Sequence, residues 1–236
     1  MTDFAKELKE GTKKSHSAAE NTKFVASFLR GVLDPEEYRK LIANFYFVYS
    51  AMEEEMRLFA DMKHRSLNKI YFPKELDRTP ALEQDLRYYY GPIWRSHIEQ
   101  SEACKTYVHR IKSLGQEDPL LLLAHHYTRY IGDLSGGQIL KGIAQNALQP
   151  PIGEGLHFYD FPRIEDAKLW KTNYRATLDG LGFNQSQINA LIAEANYAFR
   201  LNMYMFEEIQ GEASKGFIKV LCGLIKSRIG FSSKSE

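Results

Sequence analysis

The sequence predicts an all-α fold: a single compact domain of about eight helices. Apolar residues recur at helical spacing through most of the chain, while the strict alternation of a half-buried strand is scarce. Helix starts carry their own punctuation, a capping Asp, Thr or Asn followed by proline or acids. At 236 residues the chain can bury one large core. No internal repeat of solenoid period and no flexible linker divides it. The domain is therefore read as residues 1–236, with a disordered tail expected from about residue 226.

The first helix carries Phe4, Leu8, Thr12 and Ser15–His16 at helical spacing. Asp34-Pro35-Glu36-Glu37 opens a second long helix, whose apolar face runs Tyr38, Leu41, Phe45, Val48, Met52, Met56, Phe59. Thr79-Pro80 opens a shorter helix with Leu82 and Leu86, and Asp118-Pro119 a long one beginning at Leu120. Asn184 precedes a helix with Ile188, Leu191, Ala195, Phe199 and Phe206 on one side. Breaks are expected near Gly91-Pro92, Leu114-Gly115, Gln149-Pro150-Pro151 and Gly180-Leu181-Gly182. The longest irregular stretch, Gln149 to Pro162, is too aromatic to be a loose tether.

Composition narrows the function classes. With 31 basic and 30 acidic residues the formal charge is +1, so a nucleic-acid partner is not expected. Two cysteines, Cys104 and Cys222, cannot build a disulfide framework or a four-cysteine zinc site, and they suit a reducing compartment. The charged start of the chain has no apolar run, so no signal peptide is expected. The apolar stretch from Phe217 to Lys226 is interrupted by Lys219 and falls short of the ~20 residues that span a bilayer. A cytoplasmic protein without an integral membrane anchor follows as the expectation.

Several residues carry chemistry. His16 shares a helix side with Leu8, and Glu20 lies one turn on, where it can orient an imidazole that offers its other nitrogen to a metal. Taken alone, His16 also reads as a partly exposed histidine beside Lys9, Lys13 and Lys14. The segment Tyr127 to Gln138, YTRYIGDLSGGQ, places three glycines inside a helix at a cost of about 1 kcal/mol each relative to Ala. Gly132 and Gly136, one turn apart, leave bare backbone that a flat ligand could approach, with a kink expected there; close helix packing explains the pair equally well. Packing does not explain Asp133, Arg129 and Tyr130, since a carboxylate among apolar turns needs partners or water. Lys171 and Arg175 are four apart and suit two carboxylates, or form an ordinary solvated stripe. Asn202 sits near the apolar face of Phe199 and Phe206 and needs a partner there. The run Glu53-Glu54-Glu55 invites a di-iron carboxylate bundle, but no Glu-x-x-His motif accompanies it, and His125-His126 point in different directions on a helix.

The segment Tyr127–Gln138 resembles the signature helix of the heme oxygenase family. Leu8 to His16 with Ala19-Glu20-Asn21 resembles that family's proximal helix. Further similar stretches are Ala51 to Glu55, Tyr71-Phe72-Pro73, Leu82 to Leu86 with Tyr90-Gly91-Pro92, Gly153 to Leu156 before Phe161-Pro162, and Asn202 before Phe206-Glu207-Glu208. The resemblance implies heme b as cofactor and substrate, sandwiched between a proximal N-terminal helix and a glycine-kinked distal helix. It implies His16 as the iron ligand, Gly132 and Gly136 over the ring, and Asp133 organising water beside the bound dioxygen. Tyr49, Arg129 and Asn202 would belong to that polar network. Lys9, Tyr127, Lys171 and Arg175 would hold the propionates or heme edge, with Phe199 in the pocket wall. The implied reaction opens heme to biliverdin IXα, carbon monoxide and Fe2+. Its electrons would come from ferredoxin or another reductase, and a bilin reductase would act downstream. A heme-storage or heme-sensing protein using the same pocket is the alternative.

Overall fold

The computed structural model describes residues 3–62 and 64–210. The stretch 217–226, Cys222 and the expected tail lie outside the described residues. Ten α-helices follow in order: α1 (Phe4–Glu20), α2 (Lys23–Leu29), α3 (Pro35–Asp61), α4 (Leu67–Ile70), α5 (Pro73–Leu76), α6 (Thr79–Tyr90), α7 (Glu102–Glu117), α8 (Leu122–Leu148), α9 (Ala167–Asp179) and α10 (Gln185–Ile209). Short 3-10 turns occur at Trp94–Ser96, Pro119–Leu121 and His157–Tyr159, and no strand occurs among the described residues. Setting aside the single-turn helices α4 and α5, eight remain, in agreement with the sequence. No helix among the described residues is long and apolar enough to cross a membrane.

The caps work as the residue types require. The Asp34 carboxylate accepts from the backbone N–H groups of Glu36 and Glu37, with Pro35 in the first turn of α3. Asn184 and Gln187 form a reciprocal capping box at the start of α10. Two expectations are corrected. The long helix after Asp118 begins at Leu122, because Pro119–Leu121 first makes a 3-10 turn. The break at Leu114-Gly115 does not occur, and α7 continues to Glu117. A Cβ at Gly115 would stand 2.2 Å from Glu55 Oε2 of α3, the far end of a flexible side chain that can turn aside.

Helices α3, α8 and α10 form the centre. α10 packs on α1, α7 and α8, and α3 packs on α6 and α7. Tyr38, Val48, Met52, Leu86, Trp94 and Ile111 are among the fully buried core side chains. The irregular stretch after α8 begins with Gln149 in the left-handed region (φ 49°). It is held by the buried Asp85 carboxylate, which accepts from the backbone N–H groups of His157 and Phe158, each at 2.8 Å, and from the His157 ring. This anchorage sets Phe158 and Tyr159 against the centre.

The placement of α1 depends on close approach to α10. Asn196 donates to the carbonyls of Gly11 (3.0 Å) and Ile192 (2.8 Å) and accepts from the Ser15 hydroxyl (2.5 Å). A Cβ on Gly11 would lie 2.6 Å from Ile192 Cγ2, a branched atom with little room to move. Overpacking of ~1–3 kcal/mol should therefore outweigh the ~1 kcal/mol gain in helix propensity. Gly11→Ala is expected to lower the urea midpoint; an unchanged or raised midpoint would show that the helices separate freely.

Candidate functional site

One cleft of about 280 Å³ lies between α1, α2, α3, α8 and α10. Its wall includes His16 and Glu20 from α1, Phe45 from α3, Arg129, Gly132, Asp133 and Gly136 from α8, and Phe199 and Asn202 from α10. Phe158 and Tyr159 complete it. The lining is mainly aromatic and aliphatic, as suits a flat apolar ligand. Leu29 and Ile139, 44% and 65% exposed, add apolar surface at the same cleft.

All three glycines lie along the cleft. A Cβ at Gly132 or Gly136 would meet nothing within 4 Å, so helix packing is not their reason. Both border the cleft. Gly137 lines the cleft as well, and a Cβ there would make an ordinary contact 3.5 Å from the Tyr159 ring. The helix continues unbroken through all three. The space beside the bare backbone therefore belongs to the cleft. The Thr128 hydroxyl, a further lining group, is buried without a hydrogen-bond partner. Open space over backbone and an unsatisfied buried hydroxyl are the features of a site shaped for a ligand.

His16 is 56% exposed, with Nδ1 3.5 Å from Glu20 Oε2. Its ring meets Phe199 edge to face at 5.8 Å. With Nδ1 turned to the carboxylate, Nε2 is the nitrogen available to a metal.

Asp133 is held by a buried network. The Tyr49 hydroxyl donates to its Oδ2, and Arg129 lies 3.9 Å from its Oδ1. Burial pushes the Asp133 carboxyl up from the usual carboxylate range, while Arg129 and Tyr49 pull it down. Arg129 Nε donates to the Tyr49 oxygen (2.8 Å), and its other arm donates to Asn202 Oδ1. Asn202 Nδ2 donates to the Tyr107 oxygen at 3.4 Å and to the Ala198 carbonyl at 2.8 Å. Tyr107 reaches His125 Nδ1 (3.4 Å), and His125 Nε2 reaches Glu194 (2.9 Å). Arg110 closes this end with two bonds to the Glu194 carboxylate, of 2.9 and 2.6 Å. Burial pushes Glu194 up, but these bonds outweigh it and hold the carboxyl at about 2.

Tyr49, Arg129, Asp133 and Asn202 are thus brought together, as are His16, Glu20 and Phe199. Lys9, Tyr127, Lys171 and Arg175 stand outside the cleft lining. Lys9 is exposed on α1, seven residues and so two turns before His16. The Lys171 ammonium donates to the Leu134 carbonyl (3.2 Å) and the Ser135 hydroxyl (3.1 Å) of α8. Tyr127 is buried, which raises its pKa, and the Arg175 charge works against that rise.

Sequence reasoning missed Tyr107 and read His125 and His126 as ordinary. Both histidines are buried, and each anchors a separate set of bonds. His126 Nδ1 lies 2.8 Å from the Tyr174 hydroxyl. The Tyr130 hydroxyl donates to Glu53 Oε1 at 3.1 Å, while Glu53 also accepts from the backbone N–H groups of Arg78 and Thr79. A buried position in mid-helix was the one available signal.

The fold and this cleft define a class of helical proteins that hold a flat apolar ligand between helices. The heme oxygenase family model matches residues 2–208. A heme oxygenase of Porphyra purpurea is 51% identical over 229 residues, covering 97% of this chain and 94% of that protein. Heme oxygenase 1 of Synechocystis sp. is 50% identical, covering 96% and 93%. The crystal structure of cyanobacterial heme oxygenase-1 from Synechocystis sp. in complex with heme superposes with a TM-score of 0.85 at 48% identity, covering 97% of this chain and all of that one. Heme oxygenase-2 of Synechocystis sp., in complex with heme and NO, gives 0.86 at 43% identity, covering 89% and 86%. The chain belongs to the heme oxygenase family.

Burial holds His126 neutral, with its pKa lowered to about 3. An unfolded chain protonates this group near pH ~6.5, so its contribution to stability is complete above that value and is lost as pH falls from ~6.5 toward 3. His126→Phe should flatten the dependence of folding stability on pH in that window. Urea unfolding at about pH 5 and about pH 7 checks it; an unchanged slope would mean that His126 is not held neutral.

Proposed function

We propose that this chain opens heme oxidatively to biliverdin IXα, carbon monoxide and Fe2+, with dioxygen and external electrons as co-reactants. The observation that carries the reading is a carboxylate, Asp133, held by Tyr49 and Arg129 beside two side-chain-free turns of helix in a cleft that also contains His16. Bound heme supplies the iron and the conjugated ring on which dioxygen is activated. The chain's residues bind, orient and deliver protons.

His16 would hold the heme iron through Nε2, with Glu20 fixing the ring. Gly132 and Gly136 let the macrocycle approach the backbone of α8. Asp133 keeps acceptor capacity at Oδ1, where it orders water and passes protons toward dioxygen. Tyr49, Arg129 and Asn202 keep that carboxylate in place. Phe199 packs on the ligand side of His16. Lys9, Tyr127, Lys171 and Arg175 meet the propionates, Lys171 exchanging its bonds to Leu134 and Ser135 for a carboxylate. Storage or sensing of heme would have no use for a carboxylate positioned in this way.

The finer assignments follow from surface chemistry. Reduced ferredoxin is the electron donor we infer, steered by the exposed Lys13 and Lys14 of α1. A bilin reductase is a fitting consumer of an open tetrapyrrole. A cytoplasmic location accords with the free thiol of Cys104.

Purified protein with one equivalent of hemin, supplied with ferredoxin, its reductase and NADPH in air, should lose its Soret band and release biliverdin and carbon monoxide. Asp133→Ala should retain the hemin complex but lose bilin formation by roughly 10²-fold. His16→Ala should shift the Soret band and hold hemin loosely. Unchanged bilin yield in the first variant, or an unchanged spectrum in the second, would remove the role assigned to that residue.

A further inference from the structure

Five rings outside the ligand set form an unbroken file from the α9 surface to the cleft wall. Trp170, partly exposed beside the exposed Leu169, stacks on Tyr174 at 5.3 Å and 17°. Tyr174 stacks on His126 at 5.8 Å and 14°. His126 meets Tyr130 at 4.7 Å, and Tyr130 meets Tyr49 at 5.8 Å. Tyr49 is bonded to Asp133, which lines the cleft.

Each phenol in the file rests on a base. Tyr49 donates to Asp133 and Tyr130 to Glu53, and the Tyr174 hydroxyl shares a hydrogen bond of 2.8 Å with His126 Nδ1. Burial keeps His126 neutral, and with its proton on Nε2 the ring accepts from Tyr174 at Nδ1. Packing alone does not call for this. Phenylalanines would fill the same space without burying hydroxyls that must find partners. A phenol gives up an electron readily when its proton leaves in the same event, and a hydrogen-bonded base makes that transfer short and reversible. Three tyrosines so equipped, ending in a partly exposed indole, make a path for single electrons.

We propose that this file carries electrons inward from Trp170, so that a peroxide reacting at the heme cleft is reduced at the expense of a one-electron donor in solution such as ascorbate. The proposal rests on the heme-binding reading above. Reduction of one hydrogen peroxide to two waters takes two electrons and two protons, and each transit supplies one electron. Tyr49 yields an electron to the cleft as its hydroxyl proton moves to Asp133, then recovers an electron from Tyr130 and its proton from Asp133. Tyr130 is refilled across the His126 ring by Tyr174, and Tyr174 by Trp170, with each proton returning from Glu53 or His126. Trp170 releases its indole proton to solvent, the cleft takes up one proton from solvent in each transit, and ascorbate restores Trp170 with one electron and one proton. After two transits, one peroxide and two ascorbates have become two waters and two ascorbyl radicals.

The test uses the hemin complex mixed with hydrogen peroxide and freeze-quenched for electron paramagnetic resonance, with peptide mass spectrometry after reaction without ascorbate. The wild type should show an indolyl radical and oxygen added at Trp170. Trp170→Phe should lose both and lose most ascorbate-dependent peroxide consumption, while bilin formation from dioxygen is unchanged. Trp170→Tyr, which keeps an oxidisable ring at the surface, should recover the consumption. Wild-type consumption in Trp170→Phe, or oxidation confined to residues outside the file, would overturn the route while bilin formation leaves the oxygenase reading standing. Failure to form a hemin complex would remove both.

Discussion

A guanidinium held inside the protein constrains everything around it. Arg129 is 8% exposed, and a buried charge without partners is severely destabilising. Its nitrogens are met by Tyr49 of α3, Asn202 of α10 and Asp133 of its own helix. The Phe45 and Tyr49 rings lie against it at 4.4 and 4.9 Å. Displacing any of the three helices would strand the charge, so their mutual position is fixed where the cleft opens. Asp133, one turn beyond Arg129, inherits that fixity. A carboxylate that must act on a small molecule in the cleft is thus positioned by an interaction whose first effect is to satisfy a buried cation.

The elements were legible where the chain marks them locally. Asp34-Pro35 and Asn184 start helices because their side chains satisfy the first free N–H groups, a relation contained within four residues. Gly115 misled because a glycine inside a helix costs only about 1 kcal/mol relative to Ala, and α7 runs through it. The site was legible as residue types: His16 with Glu20 one turn on, and glycines flanking Asp133. Its partners Tyr49 and Asn202 were legible only through the family resemblance, because their bonds cross between helices that the tertiary fold brings together.

His125 and His126 show the limit most clearly. Adjacent helical residues diverge in direction, which rules out a shared metal and made the pair look ordinary. The same divergence gives each imidazole its own surroundings. His125 turns to Tyr107 and Glu194, on the side of α7 and α10, and His126 to Tyr174 on α9.

Two faces of α8 run from those histidines to the cleft. His125, Arg129, Gly132 and Gly136 follow one another at four-, three- and four-residue steps and so share a side of the helix. That side carries polar groups against α10 for its first turns, then loses its side chains where the cleft begins. His126, Tyr130 and Asp133 share the neighbouring side, which faces the tyrosines of α9 and α3. Asp133 lies where both sides end, with Tyr49 bonded to it and Arg129 beside it. One helix therefore presents an empty surface to a flat ligand and, at its edge, a single carboxylate to which two buried polar systems converge. The glycines make room for the ring, and each histidine links its network to the helices beyond, His125 through Glu194 to Arg110 and His126 through Tyr174 to Trp170.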